Sequence, residues 1–149
     1  MESSAPAIPE RLRTGLFSGL QTSWKLIRFV VPIYIAVDLL KHTPVIDVLG
    51  GWFSPLMRLF GLPGEAAFAF IAAFLLNLYA ALAVLAPLDL TPWQLTQCGL
   101  MMGIAHNLLL EGAVLGSTGT RGGLLSGCRL AIAGGAGLLL EAAHRLGGF

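Results

Sequence analysis

The chain has 149 residues, 56% of them hydrophobic and only 11% charged. A soluble domain carries about 25% charged residues, so this composition excludes an ordinary soluble fold and points to one membrane-embedded domain of about four spans. A net charge of +1 with no basic tract excludes nucleic acid as a partner class.

Residues 1–9 are polar and carry Pro6 and Pro9, and they lack the apolar stretch of a cleavable signal peptide. They read as a disordered tail. From residue 10 to 25, Leu12, Leu16, Leu20 and Trp24 recur every four positions, with Arg11, Arg13 and Lys25 among the polar positions. This spacing predicts an amphipathic helix for the headgroup region or for a partner. An apolar stretch over 26–40 follows, interrupted by Pro32 and ending at Asp38, Lys41 and His42. It reads as one span, with Arg28 near enough to the interface to snorkel.

Residues 45–59 contain Asp47, Gly50, Gly51, Pro55 and Arg58 and look too interrupted to cross as a regular helix. A short interfacial or re-entrant helix fits better, since irregular backbone at membrane depth must be buried in protein or line a cavity. The sequence Gly61-Leu-Pro-Gly-Glu65 is a breaker followed by a helix start, with an acid at the positive end of the dipole. Residues 66–88 then run 23 positions without a charge, about 34 Å if helical, which predicts a single span. Pro87, Asp89 and Pro92 mark its exit, and Trp93 suits an interfacial anchor.

A third span over about 93–116 carries Gln97, His106, Asn107 and Glu111. Gly99, Gly103, Asn107 and Glu111 fall four apart, so a continuous helix would set them along one slowly drifting ridge. The connection over 116–123 is rich in glycine and hydroxyls. The last span, about 124–140, is split by Arg129 and ends near Glu141, His144 and Arg145. Gly119, Gly123, Gly127, Ala131 and Gly135 form a small-residue stripe suited to close helix approach, and hence to homo-oligomer formation. Residues 146–149 read as a tail. With the N-terminus in the cytoplasm, Arg11, Arg13, Lys25, Arg28 and Arg145 lie inside and Lys41, Arg58 and Arg121 outside. Five against three is a weak positive-inside bias, compatible with insertion in both orientations.

An ionisable group in a span costs roughly 3 kcal/mol or more and persists where it faces protein or water. Glu111, with Asn107 one turn before it, is therefore the leading site candidate. The competing reading is an interhelical hydrogen bond, worth under about 1 kcal/mol. Glu65 either caps a helix or lines the site. Asn77 shares a ridge with Glu65, Ala69 and Ala73, so that face meets protein. His106 points about 100° away from Asn107, as a satisfied core residue or a site contributor. Arg129 is expected to pair with Glu111 or Glu141. His106 and Glu111 are badly spaced for a shared metal, so no metal site is expected. Cys98 and Cys128 lie in apolar segments without a C-x-x-C motif and are expected to be buried free thiols. A Ser-His pair, an H-E-x-x-H motif and an aspartyl dyad are all missing from the sequence, which argues against an enzyme.

Two blocks carry a family resemblance. Gly61-Leu-Pro-Gly-Glu65 leading into Ala66-Ala-Phe-Ala-Phe-Ile-Ala-Ala-Phe-Leu-Leu-Asn77, and Ala105-His-Asn-Leu-Leu-Leu-Glu111-Gly-Ala-Val-Leu-Gly116, resemble the Gate, or nucleoside-recognition, domain. That domain occurs in spore maturation proteins A and B, in the membrane part of ferrous iron transporter B and in concentrative nucleoside transporters. The resemblance covers roughly residues 24–145. It implies an all-α, multi-pass protein of the bacterial inner membrane with broken or re-entrant helices, in which two Gate units combine into a transport core. It also implies a substrate site drawn from Glu65, Asn77, His106, Asn107 and Glu111. One copy of the domain and no P-loop are found here, so the expected partners are the lipid bilayer, a second copy or small Gate-type subunit, and a small polar solute or ion. No cofactor is expected. The alternative is a non-transporting assembly protein that holds a partner, as the spore-maturation likeness allows.

Overall fold

The computed structural model describes residues 8–147. The tail expected over residues 1–9 lies outside them except for its last two positions, which are helical, as are residues 146 and 147 at the other end. The described residues form helices joined by short connections, without strands: α1 Ile8–Lys41, α2 Pro44–Met57, α3 Ala66–Leu75, α4 Leu78–Leu85, α5 Pro92–Ile104, α6 Leu108–Ser117 and α7 Gly122–Gly147. A single 3₁₀ turn, Arg58–Phe60, extends α2 and closes on Gly61 at φ 65°, a left-handed position that glycine takes without strain.

Local chemistry accounts for most boundaries. α1 stops at Lys41, and Pro44 starts α2 at a position where its missing N–H costs nothing. The chain turns by 90° between these helices. Thr91 and Gln94 form a reciprocal capping box at the start of α5, again with proline in the first turn. α1 runs straight through the two parts expected as an amphipathic helix and a span, and it tolerates Pro32 inside. Its first half stands clear of the bundle, with Leu12, Leu16, Leu20 and Trp24 between 66% and 75% exposed. α2 is the short helix expected over 45–59, and its glycines are used for contact: the Glu65 side chain lies on Gly50, and a methyl on Gly64 would strike the Gly50 carbonyl.

The expected single span over 66–88 is two helices. Leu76 and Asn77 interrupt it, and the chain folds back. A straight helix of that length would hold its ends about 34 Å apart, yet Pro63 and Glu65 before α3 line the same cavity as Leu88 and Asp89 after α4. The hairpin forms the middle of the core. Ala66, Ala67, Ala69, Phe70, Ala73, Ala81, Val84 and Leu85 are buried with Cys98, Met101 and Met102 of α5. So many alanines allow the two short helices to lie close together and against α5.

Among the described residues, two helical stretches are long and apolar enough to cross a membrane, the α5–α6 pair over Pro92–Ser117 and α7; the bent pair α1–α2, taken as one span, makes a third. The all-helical, polytopic class expected from the sequence holds, with two or three candidate spans by length and composition and the apolar segment 66–88 folded into the hairpin. The small-residue stripe is little used for packing within the described residues. A methyl added at Gly123, Gly127 or Gly135 would meet open space. Gly122 and Gly112 make the close α6–α7 approach, and Gly137 meets Met101 and Phe60. Cys98 is buried, but Cys128 is exposed, contrary to its expected burial.

Candidate functional site at two helix breaks

An α-helix that stops leaves its last carbonyls without partners, and in this chain two helices stop at the same point. At the end of α3, the N–H groups of Leu76 and Asn77 both donate to the Ala72 carbonyl, at 3.0 and 3.1 Å. In a continuing helix Asn77 would bond to Ala73 instead. The Ala73 carbonyl is thereby released, and the Asn107 N–H takes it at 2.8 Å. One break therefore supplies the acceptor that the other break needs.

Each break is built around an asparagine, by different means. Asn77 is extended, and its Oδ1 accepts from the Ala80 N–H at 2.9 Å, capping α4. Asn107 sits at φ 52°, a left-handed conformation that asparagine enters more readily than most residues. Its side chain caps nothing, and its Oδ1 is buried without a hydrogen-bond partner. His106 closes the end of α5: its Nδ1–H donates to the carbonyls of Gly103 at 3.0 Å and Met102 at 3.2 Å.

α7 supports the second break from the side. Arg129 Nε donates to the Ile104 carbonyl at 2.9 Å, and its Nη1 is paired with Glu111 Oε2. Three residues earlier on α7, Ser126 Oγ donates to the Leu108 carbonyl at 3.0 Å. Arg129 and Glu111 are partly exposed. Of the two partners expected for Arg129, the structure selects Glu111. Glu141, only 8% exposed, pairs with Arg145 Nε at 2.7 Å.

The sequence-predicted site residues thus separate into two groups. Asn77, His106, Asn107 and Glu111 gather at the breaks. Glu65 is about one 15 Å helix length away, at the root of the hairpin. There a cavity of about 280 Å³ is lined by Lys41, Asp47, Glu65 and Asp89, with Lys41 Nζ 2.5 Å from Asp89 and 2.9 Å from the Pro87 carbonyl. The expected ridge of Gly99, Gly103, Asn107 and Glu111 is also divided, because the turn at Asn107 separates the glycines on α5 from Glu111 on α6. Sequence reasoning missed the Ala73 and Ile104 carbonyls, which no side-chain pattern reports. Ser126 was also missed, although its three-residue spacing from Arg129 puts both on one face of α7.

Two open clefts of about 500 Å³ each flank the hairpin tip. One is lined by Phe29, Leu75, Leu76, Asn77, Leu109 and Leu110, the other by Phe74, Leu108, Gly112, Gly123 and Ser126 among others. Among the described residues, no three His, Cys, Asp or Glu side chains come together as a metal site.

Apolar helices that break around a few polar groups define a polytopic helical membrane protein. More narrowly, the chain belongs to the Gate family, described as nucleoside recognition, which it matches over residues 23–121. It is also 40% identical over 119 residues to an uncharacterized membrane protein, YvoD, of Bacillus subtilis (strain 168). That match takes in 80% of this chain but only 38% of YvoD. No solved structure matches the chain.

Proposed function

We propose that the chain is a small Gate-type transport protein, or one half of a transporter, in the bacterial inner membrane. A polar solute or ion binds at mid-membrane depth between the broken helices, held by Asn77, Asn107 and Glu111. The observation that carries this reading is the buried Asn107 Oδ1, left without a partner beside the crossing of the two breaks. An unsatisfied buried acceptor costs about 1–3 kcal/mol, which a ligand donor removes. His106 is assigned the structural task of closing α5, and Glu65 stands apart at the hairpin root.

The site is open on the side of its two clefts, and family membership together with the greater length of YvoD favours a second Gate unit there. A second copy, inserted antiparallel, is the simplest source, and the unoccupied glycine stripe of α7 offers it a close-packing face. A second small Gate-type subunit would serve equally.

Reconstitution in liposomes tests the reading. A panel of nucleosides, organic anions and divalent cations is expected to include one with saturable uptake, reduced at least tenfold by Glu111→Gln and by Asn107→Ala. Absence of saturable flux across the panel would remove the transport reading in favour of an assembly role. Tags on both termini address the pairing: an antiparallel dimer exposes each terminus on both sides of the membrane, and strict single-sided labelling rules it out.

A further inference from the structure

The residues matched to the Gate family end at 121, and α7 begins at Gly122. The side chains that tie down the second break nevertheless come from α7. Arg129 reaches the last carbonyl of α5, at Ile104, with one nitrogen, and Glu111 on α6 with another. A guanidinium can do this because its donors form a rigid planar fork, whereas an ammonium is a single point charge. Ser126 adds a donor to the Leu108 carbonyl, a methyl on Gly122 would collide with the Gly112 carbonyl, and one on Gly112 would press on Ser126 Oγ.

We propose that Arg129 is a positioning residue for the candidate site. From outside the family-matched segment it bridges the two sides of the break, fixing where α6 starts and keeping the Glu111 carboxylate charge-compensated. The proposal rests on the broken-helix site described above. It does not depend on which solute, if any, occupies that site.

Two kinds of contact make the effects of substitution unequal. Glu111→Gln removes the ion pair but leaves Arg129 on the Ile104 carbonyl. Arg129→Met removes both contacts and also strands a carboxylate. Arg129→Lys keeps the charge near Glu111 but loses the fork. The double variant Glu111→Gln/Arg129→Met restores neutrality without restoring the bridge.

Amide hydrogen exchange of the full chain in detergent micelles reads these states, with peptides over 104–111 compared against peptides from the α3–α4 hairpin. Arg129→Met is expected to speed exchange over 104–111 at least tenfold while leaving the hairpin unchanged. Glu111→Gln should have a smaller effect and Arg129→Lys an intermediate one, and the double variant should remain fast. The proposal is overturned if Arg129→Met leaves the break as protected as wild type. It is equally overturned if the double variant recovers full protection, since charge balance alone would then suffice, or if exchange rises uniformly along the chain. Should Arg129→Met fail to fold, Arg129→Lys decides: a rise confined to 104–111 supports the bridge, and no rise or a uniform one rejects it. Failure here with intact solute uptake would remove Arg129 alone. A loosened break without any solute uptake would remove the transport reading alone.

Discussion

The two breaks use the same residue type and reach opposite outcomes. At Asn77 the chain reverses, and α4 returns alongside α3. At Asn107 it carries on, and α5 and α6 together remain a candidate span. The first break caps itself, with Asn77 Oδ1 accepting from the Ala80 N–H three residues on, and leaves only the released Ala73 carbonyl to the second break. The second depends on others, taking the Ala73 carbonyl from the hairpin and the Arg129 and Ser126 donors from α7. The reversal thus draws its cap from its own side chain, whereas the interruption within the continuing span is held largely by its neighbours.

Substitutions at the supporting contacts should separate the two cases. The largest effects are expected at the glycines where backbones touch. Gly64→Ala at the hairpin root and Gly122→Ala beside the second break would each overpack a carbonyl, costing about 1–3 kcal/mol. Thermal unfolding in detergent measures this, and Gly127→Ala, on the open stripe, should differ little from wild type as a monomer. A neutral Gly122→Ala would contradict the close α6–α7 approach.

A smaller effect should distinguish the asparagines by mechanism. Asn107→Ala puts into the left-handed region a residue without the short polar side chain that makes asparagine tolerant of it, at up to about 1–2 kcal/mol, while Asn107→Gly keeps that conformation and should cost less. At Asn77 the order depends on capping instead. Asn77→Ala should cost about 1 kcal/mol, with Asn77→Asp and Asn77→Ser close to wild type. If serine were as well tolerated at 107 as at 77, the two asparagines would share one mechanism after all. The smallest expected change is His106→Ala, which opens the end of α5 without touching Asn107; its effect should be confined to exchange over 103–106.

Much of this architecture is readable from residue types. The all-helical membrane class follows from composition, the start of α5 from Thr91-Pro92 and Gln94, and the candidacy of Asn77, Asn107 and Glu111 from polar groups in apolar surroundings. The fold-back of 66–88 is not readable, because Leu75-Leu76-Asn77 contains neither proline nor glycine. Its signal is a released backbone carbonyl that only a distant segment can satisfy. Charge bias does not help either. Folding the hairpin back onto its own side exchanges the sides of Arg121 and Arg145, and the five-to-three distribution is unchanged. The separation of Glu65 from the other candidates has the same origin: a ridge read along a helix places residues by angle but does not tell which end of it faces the site.

The hairpin also governs parity. Because it enters and leaves at one end, it adds nothing to the number of times the chain traverses the bilayer. With the bent pair α1–α2 taken as one span beside the α5–α6 pair and α7, three traversals would set residues 8 and 147 on opposite faces. Tandem duplication of such a unit would set the second half upside down with no added linker helix, which is the geometry of transporters built from inverted repeats.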